Sequence, residues 1–385
     1  MWTNPPVRQT LPRAEFGREA DRLSARWGDF AGGNGERINP PFSAIELKAR
    51  SARAFYFSES CPEFPRPYRL VSLRGPLDGV IVRLYSHADC VSHQTPEGHP
   101  ERSDRLAFLL AHLEQTGFTQ DHPVREAVPI EDDLVCQAHH PELLHRLRQT
   151  GPEEGLIPLD PDTWMGPTSM AAALQAAGSV WQGVQDVVNG DETRVFCAVR
   201  PPGHHAEFDS PMGFCLLNSI GIAAINALNL SNIDRVAILD FDVHHGNGTV
   251  DLCQKYPEIL VCSSFQHPHY PDRLYDVVSP NIVNTPLAAG ASGDDFRRAI
   301  SSSWWQAVEA HRPDLVLISA GFDAHREDPL AHINLNEGDF AWVTQEITAL
   351  AEQFSQGRIV STLEGGYDLQ ALADSTLAHL EVLAR

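Results

Sequence analysis

The sequence predicts an α/β protein built on a parallel sheet, and three observations lead to this class. Short runs of Val, Ile and Leu without polar alternation recur along the chain, as is typical of strands buried on both faces. Longer amphipathic segments separate these runs. Strands and helices therefore alternate, which produces βαβ units and a parallel sheet with helices on both faces. The length of 385 residues suits one large domain with an appended segment.

The predicted elements begin near residue 79 and continue to the C-terminus. Sites in parallel sheets form at the carboxyl ends of the strands, so polar residues that directly follow a strand are the first candidates for chemistry. The six predicted strands lie at 79–86, 194–199, 235–241, 258–264, 314–320 and 358–364. The six predicted helices lie at 101–116, 168–189, 218–229, 294–310, 337–354 and 368–383.

Residues 1–78 differ from the rest of the chain because they are rich in Pro, Arg and Gly. Apolar residues at three- and four-residue steps predict an amphipathic helix over residues 14–30. We therefore divide the chain into an N-terminal extension, residues 1–78, and a main domain, residues 79–385. The extension is expected to pack on the main domain, and a subunit contact that makes a homo-oligomer is the alternative.

Acidic residues outnumber basic ones, 51 to 29, which gives a formal net charge of −22. This charge opposes binding to nucleic acid or to anionic lipid, so neither a nucleic acid nor a membrane is an expected partner. The seven cysteines lack paired metal-binding spacing, and no apolar run has the length of a membrane span. The N-terminus also lacks a signal pattern. The sequence predicts a soluble, cytoplasmic protein with reduced thiols.

Ionisable residues gather after three of the predicted strands. Asp242 and His244 lie two residues apart, so in an extended chain they project to the same side. Asp323 follows a second strand, and the tandem His204 and His205 follow a third. Because the carboxyl ends of parallel strands lie along one edge of the sheet, we expect these side chains to meet.

Together these residues are sufficient for amide hydrolysis. Two carboxylates and an imidazole can hold a divalent ion and leave one position open, as in catalytic zinc sites. An ion there makes water acidic enough to furnish hydroxide near neutral pH. A neighbouring histidine can take the proton and return it to a leaving amine. Tyr367, which follows Gly365 and Gly366 after the last strand, can donate a hydrogen bond to the oxyanion.

Four motifs in this order resemble the histone deacetylase and acetylpolyamine amidohydrolase family, of the class II kind. The likeness covers about residues 80–385, and the segment at 86–106 is also similar to the opening segment of that family. The resemblance implies the arginase-deacetylase fold, a three-layer parallel-sheet α/β arrangement, with an N-terminal extension. It also implies zinc-dependent removal of acetyl or other acyl groups from an amine. The motifs are RPPGHHA, DFDVHHGNGT, SAGFDAH..DPL and LEGGY.

The resemblance implies a role for each motif residue. It places one Zn²⁺ per chain on Asp242, His244 and Asp323. The implied catalytic residues are His205 as general base and then acid, His204 as its electrostatic partner, and Tyr367 as the donor that polarises the carbonyl. A structural K⁺ is implied at Asp240, Asp242, His244, Ser264 and Phe265. The implied substrate tunnel is lined by Gly213, Phe214, Tyr270 and Leu330, and Arg105 is implied near the channel through which acetate leaves.

Leu330 bears on the substrate. Family members that are specific for acetylpolyamines through this part of the rim carry an acidic residue here, which pairs with the distant ammonium group of the polyamine. A leucine instead suits the methylenes of lysine and does not compensate the desolvation of a second cation. The expected partner is therefore an acyl-lysine peptide or a small acylated amine. An acetylpolyamine is the alternative, and a non-catalytic module that binds acyl-lysine ranks below both.

Some features depart from the family or leave alternatives open. Gln266 stands where the family usually has His, and residues 271–274 depart from its Pro-Gly-small-Gly pattern. The donor set would also admit ferrous iron, cobalt or manganese. Arginase-type chemistry with two manganese ions would need a further ligand at Gly246 and is therefore disfavoured.

Overall fold

The computed structural model describes residues 80–385. The predicted extension at 1–78 and its helix at 14–30 lie outside the described residues, so both stay predictions. Ten strands make up the β structure of the described part. They are β1 (Val82–Tyr85), β2 (Val124–Arg125), β3 (Ile157–Pro158), β4 (Trp164–Met165), β5 (Arg194–Cys197), β6 (Val236–Asp240), β7 (Ile259–Gln266), β8 (Ile282–Leu287), β9 (Leu315–Ala320) and β10 (Ile359–Leu363).

Eight of these strands form one sheet in the order β2-β1-β5-β10-β9-β6-β7-β8. Every ladder in it is parallel, whereas β3 and β4 form a separate antiparallel pair. Its six inner strands are those that the sequence predicts, which confirms the parallel α/β class. The outer strands β2 and β8 are not predicted, because β2 is two residues long and β8 is only partly buried and contains Pro286.

Eleven helices accompany the sheet in the described part. All six predicted helices are among them, as α2, α6, α7, α9, α10 and α11, and their bounds differ from the predictions by at most two residues. The helices are α1 (Ala88–Ser92), α2 (Ser103–Gln115), α3 (Phe118–Asp121), α4 (Asp132–Ala138), α5 (Pro141–Thr150), α6 (Ser169–Asn189), α7 (Ser219–Ala227), α8 (Asn247–Cys253), α9 (Gly293–His311), α10 (Glu337–Phe354) and α11 (Leu369–Leu383). None of them combines the length and apolarity that a membrane span requires.

Side-chain capping fixes where the helices around the sheet begin. Ser292 and Asp295 form a capping box at the start of α9, and Asn336 forms another at the start of α10. At α7 the side chain of Asn218 accepts a hydrogen bond from the backbone N–H of Gly221. These short polar residues satisfy N–H groups that have no partner within the helix.

Helices cover both faces of the sheet. A Cβ atom on Gly183 of α6 would lie 2.8 Å from Val195 of β5, so α6 packs closely on that face. The next residue, Phe196, points to the opposite face, where its ring centroid lies 5.7 Å from that of His379 in α11. The domain therefore has three layers, with the sheet in the middle.

A buried ionic network supports the loop that follows β10. Glu101 Oε1 accepts a hydrogen bond from Arg105 Nη1 at 3.0 Å, and Glu101 Oε2 accepts one from Arg200 Nη2 at 2.7 Å. All three side chains are fully buried. Arg105 also donates to the carbonyl oxygens of Gly366 at 2.5 Å and Glu364 at 2.7 Å. The start of α2 is thereby joined to the carboxyl end of β10.

We predict that Glu101→Gln lowers the free energy of unfolding by about 3–5 kcal/mol, because it leaves two buried guanidinium groups without a carboxylate. Burial alone raises the pKa of Glu101, but the two arginines outweigh it and lower the pKa from 4.5 to about 2. The stability that this group contributes is therefore complete above about pH 4.5 and is lost as the pH falls toward 2. Urea unfolding at pH 7 measures the difference. The exposed Glu97→Gln is the matched control, and an equal effect of both variants would contradict the assignment.

Candidate active site

Asp242, His244 and Asp323 form a buried cluster at the carboxyl ends of two adjacent strands. Asp242 and His244 follow β6 directly, and Asp323 follows β9. His244 Nδ1 lies 3.0 Å from Asp242 Oδ1 and 3.1 Å from Asp323 Oδ2. One ligand atom from each residue lies within 4.8 Å of the other two. The structure thus brings the three predicted zinc ligands together.

The carboxylates of this cluster are oriented by the backbone and leave an oxygen for an ion. Gly365 N–H donates to Asp242 Oδ2 at 2.8 Å, and Val243 N–H donates to Asp323 Oδ1 at 2.9 Å. The other oxygen, Asp323 Oδ2, is buried and faces His244 Nδ1 at 3.1 Å, with no backbone N–H donor. A buried carboxylate oxygen is costly without a partner, and a cation shared with an imidazole and a second carboxylate supplies one.

The same cluster favours positive charge. Burial alone lowers the pKa of His244, yet hydrogen bonds with Asp242 and Asp323 raise it to about 10. A positive charge is therefore stabilised between the two carboxylates. A divalent cation carries more charge and can bond to both carboxylates and to a neutral imidazole, so the donor set fits such an ion.

His204 and His205 are driven to opposite charge states. Their ring centroids lie 4.0 Å apart, and His204 Nδ1 lies 3.0 Å from Asp240 Oδ2. Burial lowers the pKa of His204, but Asp242 and Asp240 outweigh it and hold that pKa well above the ordinary value. At His205, burial and the positive charge of His204 hold the pKa well below its ordinary value. His204 is therefore cationic and His205 neutral, which is the state that a general base requires.

Tyr367 is nearly buried and keeps its proton. Its ring packs edge-on against Phe214 with centroids 5.9 Å apart, and the Arg105 guanidinium lies 4.9 Å from its centroid on the ring face. Burial, together with the charge of Asp323, holds the pKa of Tyr367 well above its ordinary value. The hydroxyl is consequently available to donate a hydrogen bond to an oxyanion. Arg105 lies behind this ring, and its role in a product channel stays a prediction.

Phe214 and Tyr270, two of the predicted tunnel residues, are partly exposed. The Tyr270 ring meets His205 edge-on with centroids 5.3 Å apart. Gly213 has a φ of +57°, and a Cβ atom on it would lie 2.4 Å from His205 Cδ2. This position therefore requires glycine both for its backbone conformation and for space. The tunnel itself stays a prediction.

The residues of the predicted potassium set lie at the ends of β6 and β7. Asp240 ends β6, and Ser264 and Phe265 lie near the end of β7, where both are buried. The register pairs Asp240 with Ser263, whose hydroxyl accepts a hydrogen bond from Gly246 N–H at 3.3 Å. Ser263, which the sequence analysis does not single out, thus shares a face with Asp240, and Ser264 follows on the other face. Potassium binding stays a prediction.

Two further buried carboxylates hold the loops of the site, and both lie in the motifs quoted above without a predicted role. Asp328 accepts hydrogen bonds from the backbone of Leu330 at 2.9 Å and of Tyr367 at 2.8 Å. It therefore joins the loop of a predicted tunnel residue to the tyrosine. Glu364 Oε2 accepts one from Gly203 N–H at 2.6 Å. In the sequence, Glu364 stands in the LEGGY motif at the end of an apolar strand, without an assigned role.

Two positions that depart from the family pattern form a hydrogen bond and an ion pair with nearby residues. Gln266 is buried, and its Oε1 accepts a hydrogen bond from His332 N–H at 2.7 Å. Arg273 forms an ion pair with Glu207, with Nη2 2.9 Å from Oε2. The rim loop at 271–274 is therefore tied to the loop that carries the tandem histidines.

Comparison with known proteins places these features in a family. Residues 99–383 match the histone deacetylase domain family. The chain is 37% identical over 314 residues to an uncharacterized protein of Synechocystis sp., with 79% of this chain and 99% of that protein covered. It is 32% identical over 294 residues to a histone deacetylase-like amidohydrolase of Pseudomonas aeruginosa, with 74% of this chain and 77% of that protein covered. The crystal structure of the HDA15 HD domain superposes with a TM-score of 0.75 at 31% identity, covering 79% of this chain and 88% of that one.

We predict that Gly365→Ala weakens Zn²⁺ binding by about 10- to 100-fold, the range typical when a group that orients a ligand is altered. The new Cβ atom would lie 2.0 Å from Asp323 Oδ2 and 2.6 Å from Asp242 Oδ2, so at least one carboxylate must move. Competition with a zinc-binding dye measures the dissociation constant. Gly151→Ala is the control because its Cβ atom meets no atom closer than 3.7 Å. Unchanged zinc affinity in Gly365→Ala would show that these carboxylates are not the ligands.

Proposed function

This chain belongs to the histone deacetylase family, and from that premise we propose that it removes acetyl or other acyl groups from the side-chain amine of lysine with the help of zinc. The chain is accordingly a hydrolytic deacetylase. The observation that carries the proposal is the convergence of Asp242, His244 and Asp323 beside a neutral histidine and a protonated tyrosine. A cytoplasmic location stays a prediction of the sequence.

The three ligands fit zinc in donor type and number, because two carboxylates and one imidazole leave a fourth position free. When bound, the ion supplies Lewis acidity, which lowers the pKa of water and polarises a carbonyl group. We propose K⁺ as a second cation near Asp240. The fully buried Asp240 supports it, because burial raises the pKa of this carboxyl group to about 6 and a monovalent cation beside it would favour the ionised form.

The protein residues divide the proton transfers between them. His205 is neutral, and its Nδ1 faces Asn247 Oδ1 at 2.7 Å, so Nε2 is the nitrogen that takes a proton from the attacking water. The same nitrogen then returns the proton to the leaving amine. The Tyr367 hydroxyl donates a hydrogen bond to the oxygen that becomes negative as the carbonyl is attacked. The cationic His204, whose ring centroid lies 4.0 Å from that of His205, stabilises the same negative charge.

The environment of Leu330 supports lysine as the amine. Leu330 is partly buried and offers an apolar side chain on the loop held by Asp328. An apolar wall suits the four methylenes of a lysine side chain. It does not offset the desolvation of a second ammonium group, which every polyamine carries.

We predict that the zinc-loaded protein hydrolyses acetyl-lysine peptides and that Tyr367→Phe lowers kcat by about 10² to 10³, the usual effect of losing one oxyanion donor. The substitution removes one hydroxyl, so KM should change little. Fluorogenic deacetylation assays measure both constants.

Removal of the metal is the control for this assay. A chelator should abolish turnover in the wild type, and added Zn²⁺ should restore it. Full activity in metal-stripped protein would overturn the zinc mechanism. Peptide binding without any turnover in the zinc-loaded wild type would favour a non-catalytic acyl-lysine module.

We predict that the wild type prefers an acetyl-lysine peptide over N-acetylputrescine and that Leu330→Glu shifts the preference toward the polyamine, because the new carboxylate pairs with the distant ammonium group. The shift should be about tenfold in the ratio of kcat/KM values, which corresponds to about 1.4 kcal/mol. Leu330→Gln is the matched control, since it is polar but uncharged. If kcat/KM of the wild type were already tenfold higher for N-acetylputrescine, the proposed substrate would be an acetylpolyamine and not acyl-lysine.

A further inference from the structure

A chain of side-chain hydrogen bonds leads from the rim of the site to His205. Asn247 Oδ1 lies 2.7 Å from His205 Nδ1, and Asn247 Nδ2 donates to Glu207 Oε1 at 2.7 Å. The second oxygen of this carboxylate, Glu207 Oε2, pairs with Arg273 Nη2 at 2.9 Å. Asn247 Nδ2 also donates longer hydrogen bonds, of 3.3 Å each, to the carbonyl oxygen of His205 and to Met212 Sδ, so the Glu207 bond is the shortest that this group makes. Asn247 is fully buried and Glu207 nearly so.

The direction of these bonds follows from which groups can donate. An ionised carboxylate only accepts hydrogen bonds, so the side of the Asn247 amide that faces Glu207 must be its NH₂ group. The amide oxygen is then turned toward His205 and accepts the proton of Nδ1. With its proton on Nδ1, the neutral imidazole has its lone pair on Nε2.

We propose that Glu207 is a positioning residue that fixes the tautomer of His205 through the Asn247 amide. The inference rests on the proposed function, in which His205 Nε2 takes a proton from water. If the Asn247 amide were rotated by 180°, its NH₂ group would face His205 and could donate only to an unprotonated Nδ1. The proton would then sit on Nε2, and the base would be lost.

The backbone around Glu207 holds its carboxylate in place. Its N–H donates to the carbonyl oxygen of Ser210 at 2.9 Å, and its carbonyl oxygen lies 2.9 Å from His139 Nδ1. Burial raises the pKa of Glu207 above its ordinary value, and the hydrogen bond from Asn247 and the charge of Arg273 offset only part of this rise. Arg273 therefore favours the ionised carboxylate, which is the form that cannot donate.

A double-mutant cycle separates this role from a structural one. Glu207→Gln is isosteric but offers either an oxygen or an NH₂ group, so both orientations of Asn247 become accessible and kcat should fall at least about twofold with KM unchanged. An aspartate at 247 accepts from His205 with either oxygen and needs no orientation. In the Asn247→Asp background, Glu207→Gln should therefore raise kcat, because it also removes a second carboxylate from the same site.

The sign of the effect decides between the two roles. A fall in kcat by the same factor in both backgrounds would mean that Glu207 only supports the fold, and an unchanged kcat in the Asn247 background would also overturn the proposal. Thermal melting of each variant checks that it is folded. Arg273→Ala should also lower kcat, as Glu207→Gln does. Arg146→Ala is its control, because Arg146 lies in the same groove but donates to the carbonyl oxygen of Asp209.

Nitrogen-15 NMR of the imidazole rings tests the tautomer without any turnover. In the zinc-loaded wild type, His205 should show a protonated Nδ1 and an unprotonated Nε2. Glu207→Gln should show a mixture of both tautomers. The resonance is assigned among the 18 histidines by its loss in His205→Gln. If the protein proved inactive as a deacetylase, this spectrum would still report on the tautomer, and a wild type protonated on Nε2 would overturn the inference.

Discussion

Asp240, Asp242, Asp323 and Glu364 place four buried carboxylates at one edge of the sheet, and the repulsion between them has to be offset by positive charge and N–H donors. Backbone N–H groups hold some of the oxygens, but Asp323 Oδ2 has no such partner. The remaining charge explains why this edge suits a divalent cation. The active-site chemistry therefore originates in an electrostatic constraint of the fold, since parallel strands deliver all of these residues to the same place.

The same carboxylates make the pKa values of the two tandem histidines differ. His204 lies against Asp240 and is held cationic, and its charge helps to keep His205 neutral. A pair of neighbouring groups with divergent pKa values can serve as charge stabiliser and base at one pH. The partner of His205 is the uncharged Asn247, so no further carboxylate draws a proton onto this ring. The Asn247 amide must turn its oxygen toward His205, whereas a carboxylate at this position could accept with either oxygen. The hydrogen bond from Asn247 Nδ2 to Glu207 favours the required orientation.

A second buried network holds Tyr367 in place relative to the predicted metal ligands. Arg105 binds the carbonyl oxygens of Glu364 and Gly366, and Glu101 offsets its charge. The backbone on either side of Gly365 is thereby fixed where its N–H meets Asp242. A loop of two glycines would otherwise be free to move, and a displacement of about 1 Å at a catalytic group can cost on the order of 10² in rate.

The sequence by itself determined the parallel sheet, its six inner strands and the three residues of the predicted metal cluster, because apolar runs report burial on both faces and polar residues after such runs mark the edge where sites form. It did not reveal the edge strand β8, whose half-buried face and Pro286 weaken the pattern. Nor did it reveal Asp328, Glu207 or Arg273 as partners of the site, because they lie on loops whose course depends on packing between distant segments. Only the tertiary structure decided which histidine is charged and which way the Asn247 amide faces, since both depend on neighbours more than 30 residues away in the chain.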